Sequence, residues 1–333
     1  MLPAILGLAG LALTADELAF FRDTEPAGFI LFARNCGNQG QLRALTDSLR
    51  ALAGRDDLPI LIDQEGGRVM RMKPPEWPDF PAQWRFAELY EQAPISAIEA
   101  ARVNAQAIAL TLAEAGINVD CLPLLDVRQK GAHDIIGDRA LGAEPMRVAA
   151  LGRAVLDGLA AGGCAGVAKH IPGHGRARAD SHEERPVVAA SADELALDLA
   201  PFRALRDAPM AMVAHILYPV WDSERPASVS PTVIGEVIRG EIGFDGLLLS
   251  DDLAMDALSG TPGERARAAI GAGCDVVLHC SGEMADNEAV AGALGAIGDA
   301  ARARLEKAMA RTGGGTGDYE ALAAKRDALL AYA

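Results

Sequence analysis

Short apolar runs recur along the chain, at residues 4–9, 28–32, 59–62, 117–122, 166–169, 211–215, 247–250 and 276–279. Most are continuous and rich in β-branched residues, the pattern of strands buried on both faces. Between them lie alanine-rich stretches with helical spacing, at 14–22, 41–53, 96–115, 144–161, 192–206, 231–241 and 264–272. Thr14 with Glu17, and Ser191 with Glu194, have the three-residue spacing of a capping box, so two of these helices are expected to start there. Strands that alternate with helices predict a parallel sheet, and eight is the number that closes a barrel. An open doubly wound sheet would call for a glycine-rich phosphate turn after the first strand, and Gly7-Leu8-Ala9-Gly10 is a poor one. The expected fold is therefore α/β, a (β/α)8 TIM barrel forming a single domain over residues 1–333. A last helix near 317–332, set apart by Gly313–Gly315, should pack on the outside. Two long irregular stretches, 73–93 and 172–186, are expected to be functional loops.

Composition narrows the partners. Half of the 333 residues are apolar and the formal charge is −15, with a pI near 4.8. A net negative field repels nucleic acid and anionic membrane, and no Lys/Arg run offsets it, so neither is an expected partner. The five cysteines are odd in number and show no CxxC spacing, as for small buried hydrophobes in a reducing compartment. The apolar first thirteen residues lack a basic leader and run straight into Asp16 and Glu17, which favours a first strand over a signal peptide. A cytoplasmic, monomeric protein is expected.

Ionisable residues collect where the strands end: Asp63 with Glu65, Asp120, Lys169 with His170, His215, Asp251 with Asp252, and His279. A barrel gathers such ends on one face, where its active site lies. The segment from Lys169 to His182 holds three of the six histidines, His170, His174 and His182. Pro172 and Gly173 exclude a helical pair there. Asp180 and His182 are close enough for the carboxylate to accept the imidazole N–H and so fix its tautomer. Asp251 follows a buried strand, which suits either a rigidly held nucleophile or the cap of the next helix. Asp63-Gln64-Glu65-Gly66-Gly67-Arg68, with Arg71 nearby, and Gly137-Asp138-Arg139 fit either a polar ligand clamp or a surface ion-pair network.

Together these motifs resemble glycoside hydrolase family 3, in its bacterial single-domain β-N-acetylhexosaminidase branch. The match is carried by residues 63–69, 137–139, 169–175, 180–182 and 250–253, in the family's order. The resemblance implies that Asp251 is the nucleophile that forms a covalent glycosyl-enzyme, that His182 is the acid/base, and that Asp180 assists it. It also implies that Asp63, Arg71, Arg139, Lys169 and His170 bind the N-acetylglucosamine unit. The implied substrate is GlcNAc joined to 1,6-anhydro-muramic acid, with or without peptide, met during cell-wall recycling. No cofactor or metal is implied. The sequence departs from the pattern at Ile171, where an aromatic residue is common, and at Arg176-Ala177-Arg178 in a variable part of the loop. Imidazole fits the acid/base role chemically, because its free pKa of about 6.5 lies nearer neutrality than a carboxylic acid's. His182 is expected to swing in when substrate binds.

Three other readings compete. A β-glucosidase of the same family would share Asp251, although such relatives generally lack the Asp180–His182 tripeptide and carry further domains. A metal-dependent hydrolase would use His170, His174, His215 and Asp251 as ligands. A sugar-binding barrel without catalysis would need none of these groups to react.

Overall fold

The computed structural model describes residues 1–181 and 185–332. Eight parallel strands close into a barrel in sequence order: β1 (Leu2–Gly7), β2 (Pro26–Leu31), β3 (Ile60–Ile62), β4 (Val119–Asp120), β5 (Ala165–Ile171), β6 (Met210–Val213), β7 (Leu247–Asp252) and β8 (Val276–His279). The helices α1 (Ala15–Thr24), α2 (Gln39–Ala53), α3 (Trp84–Gln92), α4 (Pro94–Glu114), α5 (Pro145–Ala161), α6 (Ala192–Ala204), α7 (Pro262–Ala272), α8 (Met284–Ala293), α9 (Asp299–Met309) and α10 (Tyr319–Leu330) surround it. The expected barrel is thus the observed one. Both capping boxes form, at Thr14 before α1 and Ser191 before α6. The last helix sits where it was expected and packs on α4.

Three expectations need correction. Residues 73–93 are not all irregular, because α3 occupies Trp84–Gln92, with Phe86, Ala87 and Leu89 buried. The run at 117–122 yields only a two-residue strand, since Pro123 supplies no N–H to extend the ladder. The 231–241 stretch forms a helix of the wider π type at Val233–Ile242, ended by Gly243 at φ 73°.

Two apolar layers hold the barrel. One fills its lumen with every second strand residue: Ile5, Leu61, Val119, Val167, Met210, Met212, Leu247 and Leu249. The residues between them, such as Leu6, Ala168, Ala211 and Leu248, face the helices. Leu305, Ala308 and Met309 of α9 close the lumen at the end where the strands begin. This period of two positions the site. Counting on from the lumen residues Leu61, Val167 and Leu249 reaches Asp63, Lys169 and Asp251, which form the topmost layer. Register shifts interrupt β5 between Lys169 and Ile171, and β7 between Leu249 and Asp252. Irregularities of this kind re-aim side chains beside active sites.

Candidate active site

A cavity of about 250 Å³ opens above that layer, lined among others by Asp63, Arg71, Arg139, Lys169, His170, His174, Ser181, Asp251 and Asp252. Phe32, Val69, Ile135, Ile136, Met212 and Met255 supply an apolar share of its wall. The mixture of apolar surface and a few fixed polar groups suits a small polar ligand such as one sugar ring.

On the β3–β5 side the charges form one network. Lys169 is 2% exposed, and its Nζ lies 2.8 Å from Asp63 Oδ1 and 2.7 Å from Glu65 Oε1. Arg71 donates to the other Asp63 oxygen at 3.0 Å. Arg139 grips buried Glu65 with two parallel bonds of 2.8 Å, from Nε and Nη2. Burial alone would raise both acids, but Lys169 with Arg71 overcomes it at Asp63, and Arg139 with Lys169 at Glu65, so both stay below the usual carboxylate range. Burial likewise opposes charge on Lys169, yet Asp63 and Glu65 hold its ammonium firmly protonated. Asp120 lies beneath them, fully buried, and desolvation pushes its carboxyl well upward although Gln64 N–H donates to it at 3.0 Å.

Beside this network Asp126 holds the start of the histidine segment. Its Oδ2 lies 2.8 Å from His170 Nδ1, and its Oδ1 accepts from the backbone N–H of His170 at 3.2 Å and of His174 at 2.6 Å. The two imidazoles meet edge to face, 5.5 Å between centroids. Burial is the main cause that brings the His174 pKa down to about 4. Glycines permit the close approach. A Cβ on Gly175 would lie 2.0 Å from the Val127 carbonyl, and Gly173 sits at φ 137°.

Asp251 stands on the opposite wall, 8% exposed. Its Oδ1 accepts from Asp252 N–H at 2.8 Å. Among the described residues no cation lies within salt-bridge distance of it. Burial opposes its ionisation, but the neighbouring His170 and His215 keep the carboxyl below its ordinary value. The strand end is fixed from behind. Ser250 Oγ donates to the Asp251 carbonyl and accepts from Leu278 N–H, and His215 Nε2 donates to the Asp252 carbonyl at 2.9 Å. Asp252 accepts from Ala254 and Cys280 N–H, so it caps a turn rather than α7, which begins ten residues later.

The expected residues Asp63, Arg71, Arg139, Lys169, His170 and Asp251 therefore share one cavity. Ser181 reaches its rim, with its carbonyl accepting from Ala257 N–H at 3.2 Å, so the Asp180 segment borders it. His182 lies outside the described residues. His215, once a candidate metal ligand, has both ring nitrogens engaged, Nδ1 by Ser228 Oγ at 2.6 Å. His279 bonds Ser281 and pairs with Asp286, and does not line the cavity. Asp126 was missed in the sequence, where its one signal is a carboxylate that interrupts the apolar run from Leu122 to Val127.

Comparison with known proteins agrees with this geometry. The family model described as the glycosyl hydrolase family 3 N-terminal domain matches residues 6–312. A β-hexosaminidase from Bordetella avium is 41% identical over 284 residues, covering 84% of this chain and 80% of that protein. The crystal structure of native NagZ from Neisseria gonorrhoeae superposes with a TM-score of 0.85 at 34% identity, covering 99% of this chain and 96% of that one. The same Neisseria protein in complex with N-trifluoroacetyl-D-glucosamine gives the same TM-score and identity. With its barrel, its strand-end cavity and these relatives, the chain belongs to glycosyl hydrolase family 3.

Proposed function

We propose that the chain is a retaining β-N-acetylglucosaminidase that removes terminal β-linked GlcNAc from anhydro-muropeptides, working in the cytoplasm as a monomer. Asp251 attacks the anomeric carbon and carries the covalent glycosyl group. His182, steered by Asp180, protonates the leaving oxygen and then deprotonates water. Asp63, Arg71, Lys169 and His170 contact the sugar, and Arg139 acts there mainly by fixing Glu65 against Lys169.

One observation carries this reading. Most glycosidases use a pair of carboxyl groups, and of Asp63, Asp251 and Asp252, the carboxylates among the described residues lining the cavity, Asp251 is the least engaged, with one backbone N–H. Asp63 is held by Lys169 and Arg71, and Asp252 has its Oδ1 fixed by the Ala254 and Cys280 N–H groups. We assign the second role to a group of another kind, His182, which follows the rim residue Ser181 in the sequence and lies outside the described residues. The names of the relatives support a hexosamine substrate, and the apolar wall can take an acetamido methyl. Five free cysteines and the acidic composition support the location. No described helix is long and apolar enough to cross a membrane.

The test compares aryl β-GlcNAc with aryl β-glucoside. The proposal expects a clearly higher kcat/KM for the GlcNAc compound, and faster turnover of the glucoside would sink it.

A further inference from the structure

We infer that Asp126 is a positioning residue that decides which nitrogen of His170 faces the sugar, an inference that rests on the cavity being the sugar site. Asp126 is 0% exposed and touches no cavity surface. Its two oxygens meet three groups, all from the histidine segment: the His170 ring, the His170 N–H and the His174 N–H. Burial pushes this carboxyl upward, yet His170 beside it and the surrounding hydrogen bonds bring it down to about 2. An ionised carboxylate only accepts hydrogen bonds. The hydrogen in the 2.8 Å contact therefore sits on His170 Nδ1.

That assignment leaves Nε2 as the atom presented to the cavity. His170 lines the cavity, and among the described residues nothing bonds its Nε2. The ring cannot easily turn to exchange the two nitrogens, because His174 packs against it at 64° between ring planes and is itself tied to Asp126. A histidine that is oriented by a carboxylate on one nitrogen and works through the other is a recurring arrangement, and where such a histidine is a metal ligand, loss of the orienting group typically costs about 10–100-fold.

Asp126→Asn isolates the effect with almost no change in shape. The amide oxygen can still accept the two backbone N–H groups. Its NH2 then faces Nδ1 and can bond only the tautomer that carries hydrogen on Nε2. In the neutral ring, an acceptor facing the sugar becomes a donor.

The experiment has two parts. Nitrogen-15 NMR of the wild-type protein, with His170→Gln used for assignment, reads the tautomer directly. Hydrogen on Nδ1 is the expected result, and a neutral ring with hydrogen on Nε2 overturns the inference. The second part measures kcat/KM on aryl β-GlcNAc for Asp126→Asn, His170→Ala and the double variant. The expected outcome is a loss of about 10–100-fold for Asp126→Asn, and little further loss when it is added to His170→Ala. Losses that multiply fully would show that Asp126 acts only through the fold, and would overturn the inference. The NMR result stands even where a variant fails to fold. If His170→Ala leaves kcat/KM unchanged while the tautomer is as inferred, the sugar-site reading of His170 fails instead.

Discussion

On the β3–β5 side of the cavity Asp63 and Glu65 each have a fixed counter-charge, whereas on the β7 wall Asp251 has none among the described residues. Lys169 bridges Asp63 and Glu65, and Arg139 and Arg71 complete the pairing. Asp251 has one backbone N–H and two histidines at a distance. The difference fits the roles proposed for the two walls. Groups that hold a neutral sugar need rigid geometry, which buried ion pairs provide once every member is satisfied. A nucleophile needs an electron pair that is not already committed to a cation.

The comparison breaks first at Asp251. Asp251→Asn is expected to lower kcat by about 10³-fold or more, as loss of a covalent nucleophile does. Its unfolding midpoint should change little, because no ion pair is lost. Steady-state kinetics beside thermal unfolding checks both halves, and a large loss of stability with modest loss of rate would place Asp251 in the framework instead.

Lys169→Met should behave in the opposite sense. It leaves Asp63 and Glu65 buried beside one arginine each, and stranding buried charge costs about 3–5 kcal/mol. Denaturant unfolding should show that loss, together with weaker binding of GlcNAc. An unchanged midpoint would mean that the network is looser than its distances imply.

A smaller effect concerns pH. The folded pKa of His174, about 4, lies below its ordinary value of about 6.5. Between those values the unfolded chain binds the extra proton, so stability from this group is full above about 6.5 and is lost as pH falls toward 4. Asp198, raised to about 6 mainly by burial, acts in the reverse sense over much of the same window. The difference between wild type and His174→Gln isolates the histidine. The wild type should lose up to about 1.4 kcal/mol more per pH unit in that interval. Parallel curves would show that His174 is not buried neutral.

The smallest effect is behind Asp251. Ser250→Ala removes the hydroxyl that bonds the Asp251 carbonyl and Leu278 N–H, and should cost about 1–3 kcal/mol. It should reduce kcat more than it raises KM, because it loosens Asp251, the proposed nucleophile, and leaves the β3–β5 side untouched.

Much of this is legible in the sequence. Continuous apolar runs such as 247–250 identify barrel strands because a parallel strand covered on both faces must be apolar throughout. The same period then aims Asp63, Lys169 and Asp251 into one layer. What escaped depends on distance along the chain. Asp126 follows Pro123 in a segment that forms no strand, and its partners lie 44 and 48 residues onward, where no local pattern can register them. Helix α3 was hidden by the prolines before it, and the pairing of Arg139 with Glu65 spans 74 residues. Asp252 was ambiguous from sequence because a cap and a reacting acid occupy the same kind of position.

The central proposal, a double displacement through Asp251, can be tested by trapping. His182→Ala should be mixed with an aryl β-GlcNAc that has a good leaving group, quenched, digested and examined by mass spectrometry. The account predicts a GlcNAc adduct on the peptide containing Asp251, and, in the wild-type reaction, a product released first as the β-anomer. An adduct on another residue, or first release of the α-anomer, would contradict it.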